Sequence, residues 1–324
     1  PVPGDGRYEW AGFWRSDDLP QALNPPKGWL ATANEMNLPA GYPNAERKIG
    51  FEWTDRSRID RISEVLGGEE KATLAGSMAL QNDQVSTMAR RLVRLVRPLS
   101  SADGDLAAGL RLLAGWDGRE GADSAPAALF EVWVSGHLGR SVVEHVTPAA
   151  ARGIVGAGSL DAVVSYLEAP DAPGRDEILL RSLRAALEET RSRLGPDMAS
   201  WTWGRLHQAR FEPAAAALAD PALKAQMSVG PLRVGGSAST PGAATYRPSD
   251  FSVSAGASYR MVLDVGAWDD SVAINTPGQS GDPFSPQYRD LFALWAGGQY
   301  MPLLFSREAV DRNARVVMAL TPAP

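Results

Sequence analysis

With 324 residues, 44% of them hydrophobic and 22% charged, the chain has ordinary globular proportions and enough length for a large core in one or two domains. A formal charge of −6, with no basic stripe interleaved with aromatics in the sequence, argues against a nucleic-acid partner, which would need a basic face. The lack of cysteine excludes thiol nucleophiles, zinc–thiolate centres and disulfides, and no apolar run approaches the ~20 residues that span a bilayer.

The first residues, Pro1-Val2-Pro3-Gly4-Asp5-Gly6, read as a loop entered midway, and they carry no charged-then-apolar leader. Up to residue 28 the chain is rich in Trp, Gly and Pro, which predicts irregular structure with aromatic anchors. Next come Trp29-Leu30-Ala31-Thr32-Ala33-Asn34 and, after a short spacer, the turn Gly41-Tyr42-Pro43. An apolar run ending in a small residue and an asparagine predicts a buried strand at Trp29 to Ala33 that delivers one polar side chain.

From Arg58 the periodicity becomes helical. Ile59, Ile62, Val65 and Leu66 share a face that Gly67-Gly68 closes. Val85, Met88, Leu92, Leu95, Val96 and Leu99 repeat the three-four spacing, as do Leu106, Leu110 and Leu113. Pro126 to Val146 is a single apolar segment. Ser159 caps a short helix to Leu167, and Leu179, Leu180, Leu183, Leu187 and Leu194 form the clearest stripe before Gly195-Pro196.

Beyond Trp201 the chain turns to Gly, Ser, Thr and Pro over residues 234–248, too poor in apolar residues for helix. Tyr259, Met261, Leu263 and Val265 then alternate with Arg260, Val262 and Asp264, which predicts a half-buried strand. Ser271 to Asn275 and Arg315 to Leu320 are further strand candidates, with a helical turn at Leu291 to Trp295 between them. No period repeats, which argues against solenoids and propellers.

Self-contained chemistry is scarce. His137, His145 and His207 are scattered and form no metal motif, and His207 reads as a hydrogen-bonded structural residue. No nucleophile elbow, P-loop or dinucleotide fingerprint occurs.

The Asn34 stretch, the Tyr-Pro step and Trp53 to Arg61 recur in order with three later patches. These are Gln81-Asn82-Asp83 opening a helix, Trp203-Gly204-x-x-His207, and Gly278-Gln279-Ser280-Gly281 with Ser285, Tyr288 and Trp295. Together they resemble the penicillin acylase family of N-terminal-nucleophile amidohydrolases, from Pro1 to about Val310, in the later part of the β-subunit. The resemblance implies an α+β fold of αββα layers with a large helical insert. Residues 1–57 would be the loop-and-strand segment with the site asparagine, 58–200 the helical region, and 201–324 a Gly-rich loop with strands completing the sheet.

It also implies the chemistry. In that family an internal cut frees a serine whose own α-amino group is the base, so no histidine is needed. Asn34 occupies the place of the oxyanion-hole asparagine, a neutral donor aimed at developing charge. Arg58, with Arg56 as the alternative, occupies that of an arginine that orients the asparagine and lowers the pKa of a nearby amine; a solvent-facing arginine at a helix start is the plain alternative. No cofactor is required. A structural calcium in some members would fall on Glu46, for which a surface carboxylate is the simpler reading, and calcium's ~6–8 oxygens would come mostly from outside this chain.

The serine, its strand, the main-chain oxyanion donors and the α-subunit are expected upstream of Pro1, as partners from one autocatalytically processed precursor. This chain alone is expected to be inactive, and the intact protein periplasmic or secreted. Its substrate is a small-molecule amide of an acyl group and an amine such as a β-lactam nucleus; N-acyl-homoserine lactones or lipopeptide acyl chains are the alternatives. A non-catalytic binding or scaffold protein is the rival of another class, distinguished by whether a serine stands at an upstream processing junction. Neither a nucleic acid nor a membrane is expected as a partner.

Overall fold

Most of the helices of the bundle start at a side chain able to take up a free amide of the first turn. A computed structural model describes residues 2–68 and 71–322. Its helices are α1 (Ser57–Gly68), α2 (Leu74–Gln81), α3 (Thr87–Val96), α4 (Gly104–Ala114), α5 (Ala125–Trp133), α6 (Gly139–Val146), α7 (Leu160–Glu168) and α8 (Arg175–Leu194). Thr73, Ser86, Asp103, Ser124 and Ser159 cap α2, α3, α4, α5 and α7, each accepting an N–H of the first turn, a contact worth about 1 kcal/mol. Gly195, at φ 95°, ends α8 where an L side chain would be strained.

The centre of the bundle is α5. Every residue from Ala127 to Trp133 is buried, the pattern of a helix surrounded by others. Leu179, Leu183, Ala186 and Leu187 of α8 belong to the same core, together with Leu92 of α3 and Leu110 of α4. The apolar segment 126–146 is not one continuous α-helix. A π turn at Val134–Leu138 joins α5 to α6, and such turns insert a residue and rotate the following face.

After the bundle the short helix α9 (Trp203–Leu206) leads into strands β1 (Gln208–Phe211) and β2 (Val229–Arg233), with α10 (Pro221–Met227) between them. Then come β3 (Ala244–Tyr246), β4 (Val253–Gly256), β5 (Arg260–Val262), β6 (Val272–Ile274), α11 (Phe292–Ala296), β7 (Met301–Pro302) and α12 (Arg307–Asn313). The pairs β1–β2 and β3–β4 are antiparallel, and β5–β6–β7 is an antiparallel sheet in that order. A second core of Val229, Ile274, Phe292 and Trp295 holds these elements together.

Four sequence expectations are corrected. Trp29 to Ala33 is not a strand: among the described residues its neighbourhood makes a single parallel bridge, Glu35 with Thr54, and an apolar run becomes a strand only where a neighbour takes its amides. Arg315 to Leu320 likewise has no ladder, and Val316, Val317, Met318 and Leu320 are exposed. Around β5 the alternation is present but inverted: Tyr259, Met261, Leu263 and Val265 face out. Arg260 instead lies over the Trp295 ring at 4.9 Å and donates to the Trp295 carbonyl at 3.0 Å, so cation–π packing outweighs the hydropathy of the run. Finally, Gln81-Asn82-Asp83 closes α2, and it is Ser86 that opens the following helix.

The segment before α1 differs from the rest. Between residues 2 and 56 only Ala33 and Glu35 are buried, while Trp10, Phe13, Leu23 and Phe51 are exposed. None of the described helices is long and apolar enough to cross a membrane.

Candidate active site

Asn34 sits at the tip of a bend with φ 64°, a left-handed conformation that asparagine accepts more readily than most residues. The backbone on both sides of it is held. The Ala33 N–H donates to Glu35 Oε2 at 2.7 Å, Thr54 Oγ1 donates to the Ala33 carbonyl at 3.1 Å, and the Thr54 N–H donates to the Asn34 carbonyl at 2.9 Å. The side chain is exposed, and Arg58 Nη2 donates to its Oδ1 at 3.0 Å. A guanidinium has no acceptor to offer, so the amide oxygen must face it and the amide N–H groups must point away. The result is a fixed, outward-facing neutral donor.

Arg58 is placed by the start of α1. Asp55 Oδ1 accepts the Ser57 N–H at 2.9 Å, Thr87 Oγ1 donates to the Ser57 carbonyl at 3.2 Å, and Ser57 and Ile59 are buried. One turn on, Arg61 pairs with the buried Asp83 at 2.6 Å. Arg56 points elsewhere, into an exposed pair with Asp60 at 3.0 Å. If Arg58 holds the role that the resemblance implies, the two candidate arginines separate in the intact protein. Arg58→Ala removes a charge-assisted hydrogen bond worth about 1.5–3 kcal/mol, and a fall in kcat of roughly ten- to a hundredfold is expected. Arg56→Ala breaks only an exposed i,i+4 pair worth about 0.3–0.5 kcal/mol, and kcat is expected to stay within about twofold. Steady-state kinetics of the two variants side by side provide the check.

Glu46 lies exposed on the turn after Tyr42-Pro43. Among the described residues no group of three or more acidic or histidine side chains could hold a metal, and one exposed carboxylate does not fit calcium's need for ~6–8 oxygens. His207 is buried, with Nδ1 and Nε2 at 2.9 and 3.0 Å from the carbonyls of Val234 and Ala244 and its ring stacked on Trp203 at 4.5 Å. Burial holds its pKa down against those two contacts, as befits a structural residue.

The sequence reading missed two features. One is the pair of hydrogen-bonding neighbours of the bend, Glu35 and Thr54; a carboxylate directly after the site asparagine was the available signal. The other is a buried acid pair behind α5. Glu120 and Glu131 are both buried, and among the described residues neither has a salt bridge. Tyr246 Oη donates to Glu131 Oε2 at 2.5 Å, whereas the Glu120 oxygens have no hydrogen-bonding partner in good geometry. Burial, then the facing Glu131 charge, push the Glu120 carboxyl well above the usual carboxylate range; burial also raises Glu131, opposed by the Tyr246 hydrogen bond.

The sequence model described as penicillin amidase matches residues 1–312. The chain belongs to the penicillin amidase family. It is 32% identical to the acyl-homoserine lactone acylase QuiP of Pseudomonas putida, over 96% of its own length and 42% of the relative's. It is 28% identical to the penicillin acylase 2 proenzyme of Pseudomonas sp. strain SE83, over 100% of its own length and 42% of the relative's. It thus spans about two-fifths of the curated relatives it matches. The solved thermostable penicillin G acylase from Alcaligenes faecalis superposes with a TM-score of 0.60 at 21% identity, covering 100% of this chain and 62% of that one. The mixed fold of helices and small antiparallel sheets is that of a penicillin acylase.

Proposed function

We propose that the intact protein is an acylase that hydrolyses a linear amide, with Asn34 as the side-chain oxyanion donor and Arg58 as the residue that orients it. The observation that carries this is the 3.0 Å bond from Arg58 to Asn34 Oδ1, which leaves the amide N–H groups facing out of the bend. The attacking group is an N-terminal serine supplied from outside this chain, as are the main-chain oxyanion donors. As the serine adds to the amide carbonyl, negative charge grows on that oxygen. A donor already pointing there stabilises the charge without reorganising, and losing it costs about 3 kcal/mol or more.

The acyl-homoserine lactone acylase relatives reach a higher identity (32%) than the penicillin acylase relative (28%), which favours an N-acyl-homoserine lactone over a β-lactam side-chain amide as substrate. The exposed aromatics Trp10, Phe13 and Phe51 suit burial against the α-subunit and the upstream β-segment. Export to the periplasm or exterior accompanies this reading.

The test is expression of the complete gene, N-terminal sequencing of every chain in the purified protein, and assay of N-acyl-homoserine lactones beside penicillin G. A chain beginning with serine and release of the acyl group are expected. Without such a serine, the protein is a scaffold homologue instead. Turnover of penicillin G alone would reverse the choice of substrate.

A further inference from the structure

We propose that Glu35, acting with Thr54, is a positioning residue that holds Asn34 in its donating pose. The inference rests on the oxyanion role given to Asn34 above and adds the means by which the pose is kept. Four hydrogen bonds fix the bend, and only the one from Arg58 touches the Asn34 side chain. The other three come from Glu35 and Thr54 and fix the peptide planes on either side of a left-handed residue. Asparagine tolerates the left-handed region, but a single fixed orientation of its side chain needs the peptide planes on both sides to be held.

Glu35 is also unusual in itself. Its carboxylate is buried, makes no salt bridge among the described residues, and has the Ala33 N–H at 2.7 Å as its hydrogen-bond partner. A buried carboxylate is retained where its hydrogen bonding is put to use. Ala33 and Glu35, the two residues joined by this bond, are the two buried residues between positions 2 and 56. An otherwise exposed segment thus fastens itself at the point from which Asn34 projects. Thr54 closes the bend from the opposite side, and Arg58 Nη2 lies 3.4 Å from the same Thr54 hydroxyl, so one cage serves the backbone and the side chain together.

Glu35 is an acceptor here, and an amide oxygen would serve in its place. In the complete enzyme Glu35→Ala is expected to lower kcat by about ten- to a hundredfold with KM within twofold, because a misplaced donor is lost in the transition state and not in substrate binding. Glu35→Gln restores the acceptor and is expected to recover kcat to within about threefold. Should Glu35→Ala fail to accumulate as folded protein, Thr54→Val and Thr54→Ser read the same cage from its other side, with the serine variant expected to retain the kcat that the valine variant loses.

Alanine and glutamine variants of Glu35 with equal losses, an alanine variant within twofold of wild type, a change confined to KM, or equal kcat for the two Thr54 variants would each overturn the inference. Asn34→Ala in the same enzyme separates the two levels. If it stays active, the oxyanion role itself fails; if it is inactive while the cage variants behave as wild type, only the positioning role falls.

Discussion

Replacing Asn34 by alanine in the intact protein is expected to lower kcat by about 10²–10³, with KM little changed and only a small fall in melting temperature, because alanine at the left-handed φ of 64° is strained by about 1–2 kcal/mol. The size follows from what the side chain offers. Its amide is exposed, so folding stability gains little from it, yet it is held by Arg58 at 3.0 Å, so it needs no reordering when charge develops. The loss of one such donor costs about 3 kcal/mol in the barrier and leaves ground-state binding intact. Asn34→Asp is the sharper companion, because a carboxylate keeps the bond to Arg58 but replaces the donor by a negative charge. Its activity is expected to fall below that of the alanine variant. Steady-state kinetics with a melt of each variant check the pair, and a rate within twofold of wild type for alanine would sink the assignment.

The second large effect concerns pH. Glu120 and Glu131 have folded pKa values above their ordinary 4.5, so the folded state holds protons that the unfolded chain releases. The stability this supplies is complete below pH 4.5 and is lost as pH rises through the raised folded values. The groups facing the pair relieve it in part by hydrogen bonding but bring no positive charge. Tyr246 is a buried phenol raised well above its usual range by burial and by Glu131, His207 packs on Tyr246 with its pKa lowered by burial, and Ser86 and Ser237 are neutral. Ionisation of either acid therefore places a charge in the interior with no opposite charge to compensate it. The protein is expected to lose stability on the alkaline side, and Glu120→Gln to flatten that limb. Urea melts of both proteins across pH 5 to 10 measure it; parallel curves would refute the role given to Glu120.

Most of the bundle was legible in the sequence. The stripes at Met88, Leu92 and Val96 or at Leu179, Leu183 and Leu187 depend on a local period, and caps such as Ser159 sit within three residues of the amides they serve. Whatever depended on a distant neighbour was not legible. Trp29 to Ala33 has strand composition without a strand's partner, and the inward turn of Arg260 depends on Trp295, 35 residues later. The acid pair was invisible because it is completed by Tyr246, 115 residues beyond Glu131. At the site, Asn34 and Arg58, with Arg56 as the alternative, could be proposed from resemblance; what the sequence could not give is the contact itself, Arg58 on Asn34 and Arg56 on Asp60. Glu35 was passed over because a carboxylate in a loop is ordinarily solvated.

The distribution of burial in the first 56 residues bears on how the molecule becomes competent. With only Ala33 and Glu35 enclosed there, the amides of this strap are expected to exchange with solvent deuterium far sooner than those of α5 and α8, whose opening approaches global unfolding. The helical bundle can therefore be complete while the bend that presents Asn34 is still exchanging. In this chain by itself, folding of the bundle and ordering of the bend are expected to be separate events, and the partner surfaces proposed to cover Trp10, Phe13 and Phe51 are what would join them.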